Sequence, residues 1–109
     1  MNRPIDPEHI TQLMELIASI DDPEVCRALF DDLCTVNELE NMAERCFAAK
    51  LLIGGNTYVQ VMEQANISTA TLSRVSRCIQ NGKGYAKVIK CEKEHQRQHR
   101  LAPKYKTGL

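Results

Sequence analysis

Apolar residues recur three and four positions apart along most of the chain, the spacing of helices that each bury one face. Ile10, Leu13, Met14, Ile17 and Ile20 form the first stripe, preceded by Asp6-Pro7-Glu8. That triplet reads as a start signal: an acid able to cap free N–H groups, then proline at the first helical position. Asp22-Pro23-Glu24 repeats it ahead of Val25, Cys26, Leu29, Phe30 and Leu33. Thr35-x-x-Glu38 is a capping box opening a longer helix through Leu39, Met42, Ala43, Cys46, Phe47 and Leu51, which Gly54-Gly55-Asn56 should stop. Thr57-x-x-Gln60 caps a short fourth helix, and Ser68 caps a fifth running to about Asn81. Gly82-Lys83-Gly84 then breaks the chain before a last, polar helix over roughly 85–99, and the tail 101–109 is expected to be flexible. No alternating run of β-branched residues argues for a strand. The expectation is all-α, about six helices, in one domain spanning 1–100.

The third helix carries apolar residues on more than one face and so needs neighbours on both sides. In a chain of 109 residues, which buries a modest fraction of its surface, a second subunit sharing one core over 6–53 is the natural remedy. With 43% hydrophobic residues and no apolar run near the ~20 residues of a membrane span, a membrane protein is not expected. Met1-Asn2-Arg3-Pro4-Ile5-Asp6 has no signal-peptide core. Cys26, Cys34, Cys46, Cys78 and Cys91 are odd in number and form no C-x-x-C pair, so free buried thiols in a reducing cytoplasm are expected.

The net charge of zero conceals a split. Residues 1–50 hold 4 Lys/Arg against 11 Asp/Glu, a net −7, and residues 51–109 hold 10 against 3, a net +7. Within 57–91 the only acid is Glu63, against Arg74, Arg77, Lys83, Lys87 and Lys90. An acidic body with a basic face suits a polyanionic partner.

That basic stretch contains the pattern of a helix-turn-helix. Val61, Ala65, Ile67, Leu72 and Val75 fall where two short, steeply crossing helices need inward residues. Asn66 sits where the turn calls for a residue that tolerates left-handed backbone. The outward face of the second helix is expected to show Thr69, Thr71, Ser73, Arg74 and Arg77. Short hydroxylated side chains let a helix lie deep in the major groove, and arginines reach guanine edges or phosphates. Thr57 and Ser68, at helix starts, and Lys83 and Lys87 beyond the second helix complete the set expected to meet DNA.

Thr35 to Arg45 (TVNELENMAER), LLIGGNTY at 51–58 and ISTATLSRVSRCI at 67–79 resemble the Trp-repressor superfamily, most of all its YerC/YecD-like branch. The sharpest piece is S-x-A-T-x-S-R-V-x-R at 68–77. The resemblance implies a six-helix subunit, an intertwined homodimer, and binding to double-stranded operator DNA with two-fold symmetry. Thr57–Gln64 would be the first helix of the motif and Ser68–Cys78 the reading helix. It also implies an effector pocket. In the repressor that names the family, one threonine and two arginines help hold tryptophan, and Thr35, Arg45 and Arg74 match those places. A glycine that leaves room for the indole is replaced by Val75, and a serine that helps hold the amino group by Cys78. A branched side chain intruding on a flat ring site costs more than a hydrogen bond returns. Tryptophan is therefore not expected as corepressor, and the effector, if one exists, is a different molecule.

Cys91, His95 and His99 share a face of the last helix, but three ligands spread over three turns do not converge on one ion, so no metal is expected. No glycine loop follows a strand to cradle phosphate, and His9 has no nucleophile in sequence range, so the chain does not read as an enzyme. The reading is a sequence-specific, helix-turn-helix regulator, a repressor on a palindromic site. The alternative is a dimeric helical interaction module without specific DNA binding, against which the scarcity of acid in 57–91 argues.

Overall fold

The structure, a computed structural model, describes residues 3–89. Five helices follow one another: α1 (Pro7–Ala18), α2 (Pro23–Leu33), α3 (Val36–Ile53), α4 (Tyr58–Gln64) and α5 (Thr69–Asn81). A sixth, α6, begins at 84 and continues to 89, and there is no strand among the described residues. The rest of the expected last helix, with Cys91, His95 and His99, and the tail 101–109 lie outside the described residues. None of the described helices is long and apolar enough to cross a membrane.

The caps sit where local chemistry demands them. The Asp6 and Asp22 carboxylates each accept the N–H two residues on, at 2.9 Å. Thr35 and Glu38 bond reciprocally, Glu38 N–H to Thr35 Oγ1 at 3.1 Å and Thr35 N–H to Glu38 Oε1 at 2.8 Å. Thr57 and Gln60 repeat this at 3.2 and 2.8 Å. At the end of α3, Asn56 N–H reaches Leu51 O and Gly55 N–H reaches Leu52 O, both at 3.0 Å. This is a Schellman closure, and Gly55 takes the left-handed φ of 102° that it requires.

The chain divides into two compact units, Met1–Glu40 and Asn41–Leu109. In the first, α1 and α2 contain no fully buried residue. Leu13, Ile17, Leu29 and Phe30 are half-buried, while Ile10, Met14, Leu16, Val25 and Leu33 stand exposed. On the outer surface of α2, Arg27 Nε donates to Asp31 Oδ1 at 2.9 Å. That hydrogen bond and the carboxylate's charge hold the guanidinium pKa above its ordinary value.

The second unit holds the core, in two clusters on either side of α3. Ala48 packs with Val61, Ala65 and Leu72, and Ala49 with Val75 and Ile89. The part of α3 that belongs to this unit, from Asn41 onward, thus packs into both clusters. The apolar stripe expected on α3 is displaced, however: Ala48 and Ala49 are fully buried, whereas Cys46 and Phe47 are exposed. Alanines occupy the contact lines because α4, α5 and α6 approach closely there. The thiols also depart from expectation, since Cys26 and Cys34 are half-buried and Cys46 and Cys78 exposed.

Gly82 ends α5 in extended backbone, φ −93° and ψ −173°. Its need for glycine is close approach, because a Cβ there would lie 2.7 Å from the carbonyl oxygen of Cys78.

Candidate nucleic-acid interface

Helix α4, the turn 65–68 and α5 form a helix-turn-helix held to α3 by its inward residues. Val61, Leu72 and Val75 are 0 to 1% exposed and Ala65 7%, as their spacing requires. Ile67, in the turn, is half-buried and packs against both clusters. Ser68 caps α5 by accepting the Thr71 N–H at 3.2 Å.

Burial on one face leaves the other to solvent. Arg74 and Arg77 are exposed, as are Thr57, Ser68, Thr69, Lys83 and Lys87. Thr71 and Ser73 are not fully outward but half-buried. Thr71 lies at the edge of the packed face, next to Leu72, and its Oγ1 accepts the Ser68 hydroxyl at 3.0 Å. The Thr69 hydroxyl lies 3.7 Å from the sulfur of Met62, to which it donates. Ala70 is exposed and shares a face with Arg74, Arg77 and Asn81. Its helical register, four before Arg74, was the signal that could have added it to the expected set. Among the described residues, Arg74, Arg77, Lys83 and Lys87 form no ion pair, so no described carboxylate pairs with the positive charge of this surface.

The turn itself corrects the sequence reading. Asn66 is not left-handed, and Gly55 is the sole described residue with positive φ. Ala65 is extended, φ −112° and ψ 145°. The Asn66 N–H donates instead to Glu44 Oε1 on α3, at 2.8 Å. Sequence reasoning missed Glu44, and no local pattern announces a partner 22 residues away.

Four of the five residues matched to an effector pocket come together. Arg45, Arg74, Val75 and Cys78 line one cavity of about 460 Å³ with Thr71 and Tyr85. Two arginines, a threonine and a tyrosine are among its lining residues, a set that suits an anionic or strongly hydrogen-bonding guest. Val75 is only 1% exposed and belongs to the core cluster of Ala49 and Ile89, so its isopropyl group forms a fixed wall. Thr35 belongs to the other compact unit and is fully engaged as the cap of α3. No group of three or more metal-ligating side chains occurs among the described residues.

An all-helical body presenting an acid-poor, arginine-bearing helix after a tight turn defines the class of helix-turn-helix proteins. The chain belongs to the Trp repressor family: the sequence profile described as Trp repressor protein matches residues 8–93. It is 44% identical over 75 residues to YerC, an uncharacterised protein of Bacillus subtilis (strain 168), covering 69% of this chain and 72% of that one. A crystal structure of a candidate Trp repressor from Staphylococcus aureus superposes with a TM-score of 0.75 at 34% identity, covering 79% of this chain and 87% of that one. A TrpR-like protein from Eubacterium eligens ATCC 27750 does so with a TM-score of 0.72 at 36% identity, covering 76% and 87%. The fold is Trp-repressor-like, and the family is one of non-enzymatic, DNA-binding regulators.

Proposed function

We propose that the protein is a cytoplasmic transcriptional repressor that reads a palindromic operator as a homodimer. The observation that carries this reading is the exposed face of α5, where Arg74 and Arg77 project without an ion pair among the described residues. Family membership supports the same direction. Arg74 and Arg77 contact bases or phosphates, Ala70 and Thr69 lie close against the groove, and Ser68 and Thr57 bring helix N-termini to the backbone. Lys83 and Lys87 add sequence-independent attraction. Two copies of α5 placed about one duplex turn apart, roughly 34 Å, match the half-sites. The dimer is supported by the apolar residues that α1 and α2 leave exposed, Ile10, Met14, Leu16, Val25 and Leu33.

The cavity of Arg45, Arg74, Val75 and Cys78 is the proposed effector site, and its occupant is not tryptophan, because Val75 takes the space of a flat ring. Arg74 serves both cavity and α5 surface, so a guest there changes how the arginine meets DNA.

Selection of genomic fragments by the purified protein tests the reading. A palindromic motif is expected, with Arg74→Ala weakening the selected duplex by ~1–3 kcal/mol and Lys87→Ala weakening all duplexes alike. Equal losses on selected and random duplex for both variants would overturn the role assignment. Absence of any motif, with and without a metabolite pool, would overturn the repressor reading in favour of a protein-interaction module.

A further inference from the structure

The angle between two short helices needs something to fix it, and the usual left-handed turn residue is missing here. Within the turn, Ala65 N–H closes on Val61 O at 2.8 Å and Ile67 N–H on Ala65 O at 3.1 Å. The Asn66 N–H between them goes to no backbone acceptor but to Glu44 Oε1. Glu44 is half-buried on α3. With Asn41, Arg45, Ser68 and Thr71 it lines a small polar cavity, about 240 Å³, between α3 and the start of α5. Asn66 is itself exposed, so what marks this bond is its acceptor: a carboxylate makes a shorter, stronger hydrogen bond than a neutral oxygen.

We infer that Glu44 is a positioning residue for the reading helix: through Asn66 it fixes the pose in which α5 is presented to DNA. This deepens the DNA-binding reading above and rests on it. The latch replaces, from a third helix, the constraint that a left-handed residue would supply within the turn. It also ties the pose of α5 to α3, one residue from Arg45 in the proposed effector cavity. Charge and acceptor act with opposite sign here, since a carboxylate near a DNA-binding helix weakens attraction to phosphate, while its oxygen holds the turn.

Glu44→Gln and Glu44→Ala both remove the charge, but only glutamine keeps an oxygen that can accept the Asn66 N–H. The full chain and both variants are compared in amide exchange at Asn66 and in binding to two duplexes, one selected by the wild type from a random library and one of scrambled sequence. In Glu44→Ala, Asn66 is expected to exchange roughly tenfold faster than in Glu44→Gln. Glu44→Ala should also bind the selected duplex roughly 3- to 30-fold more weakly than Glu44→Gln, with the two equal on the scrambled one. Equal binding by the two variants, or equal exchange, overturns the proposal. Should Glu44→Ala fail to fold, Glu44→Asp, which keeps the charge and withdraws the acceptor by one methylene, is compared with the wild type to the same criteria. A wild type that selects no duplex defeats the DNA-binding reading instead, and the exchange comparison still decides whether the latch exists.

Discussion

Helices α1 and α2, of 12 and 11 residues, bury none of them fully. Helices α4 and α5, of 7 and 13, hold Val61, Leu72 and Val75 at 1% exposure or less. The first pair does not lack apolar side chains, for Ile10, Met14, Leu16, Val25 and Leu33 are each about half or more exposed. Fully burying such a side chain is worth roughly 1.5–3 kcal/mol, so leaving five in water forfeits a large share of the stability available to a small domain. Periodicity shows that a helix has a face to bury, while the identity of what covers it is a separate fact. In the second unit the cover is α3 with α4 to α6; in the first it is the proposed second copy.

The strongest test of that difference places charge on the first unit. Ile10→Asp with Met14→Asp puts two carboxylates one turn apart on the exposed face of α1. On a lone monomer, such surface changes shift stability by about 0.5 kcal/mol each or less. Buried against a second copy they cost several kcal/mol each, enough to dissociate it. Sedimentation is expected to show a wild-type dimer and a monomeric variant. Two identical monomeric species would break the comparison and leave the α1 face truly solvated.

A matched pair of truncations sharpens it at somewhat lower amplitude. Leu72→Ala empties a fully buried site in the second unit and should lower unfolding stability by about 2–5 kcal/mol. Leu33→Ala removes the same atoms from a side chain 49% exposed in the single chain. If Leu33 meets water in solution, denaturant melts will show well under 1 kcal/mol. A loss comparable to that of Leu72→Ala would locate Leu33 inside the dimer.

The same contrast separates what the sequence discloses from what it hides. Asp6, Asp22, Thr35, Thr57 and Ser68 were legible as caps because each bonds an N–H within three residues. The inward set Val61, Ala65, Ile67, Leu72 and Val75 was legible because two short helices have few ways to cross. On α3 the pattern misled: with neighbours on two sides, Ala48 and Ala49 take the contact lines, and Cys46 and Phe47, larger and more hydrophobic, are left outside. For the site, the exposure of Arg74 and Arg77 followed from register. The hold of Glu44 on Asn66 did not, since no rule of local spacing links a carboxylate to an amide on another element. Nor did periodicity alone reveal that Thr71 spends its hydroxyl on Ser68.

Two glycines within the second unit, two positions apart, offer a smaller effect. A methyl group at Gly82 would press 2.7 Å from Cys78 O, which is backbone and cannot swing away. Gly82→Ala should cost about 1–3 kcal/mol through the strain of moving the end of α5. At Gly84 an added Cβ meets nothing within 4 Å, so Gly84→Ala should be neutral or stabilise by up to about 1 kcal/mol. Thermal melts read both. Equal effects would mean that the junction between α5 and α6 is looser than its geometry and that the second unit is less rigid than its core.

The two reciprocal capping boxes bring the units back to equal terms, and so set the floor of the comparison. Thr35 with Glu38 belongs to the first unit and Thr57 with Gln60 to the second. Their bonds are nearly identical, 3.1 and 2.8 Å against 3.2 and 2.8 Å. Both threonines are exposed, so each substitution to alanine should remove a cap and little else, costing about 1 kcal/mol, and serine should restore it. If the units differ only in what covers their apolar faces, the two losses will match. DNA then separates them. Thr57→Ala should weaken binding through the start of α4 on the reading motif, whereas Thr35→Ala should leave affinity per dimer unchanged. If Thr35 had its counterpart's role in a tryptophan site, tryptophan would raise the melting temperature of the wild type and not of Thr35→Ala. No shift in either is the result expected from the proposal that Val75 takes the space a flat ring needs, whatever residue stands at 35.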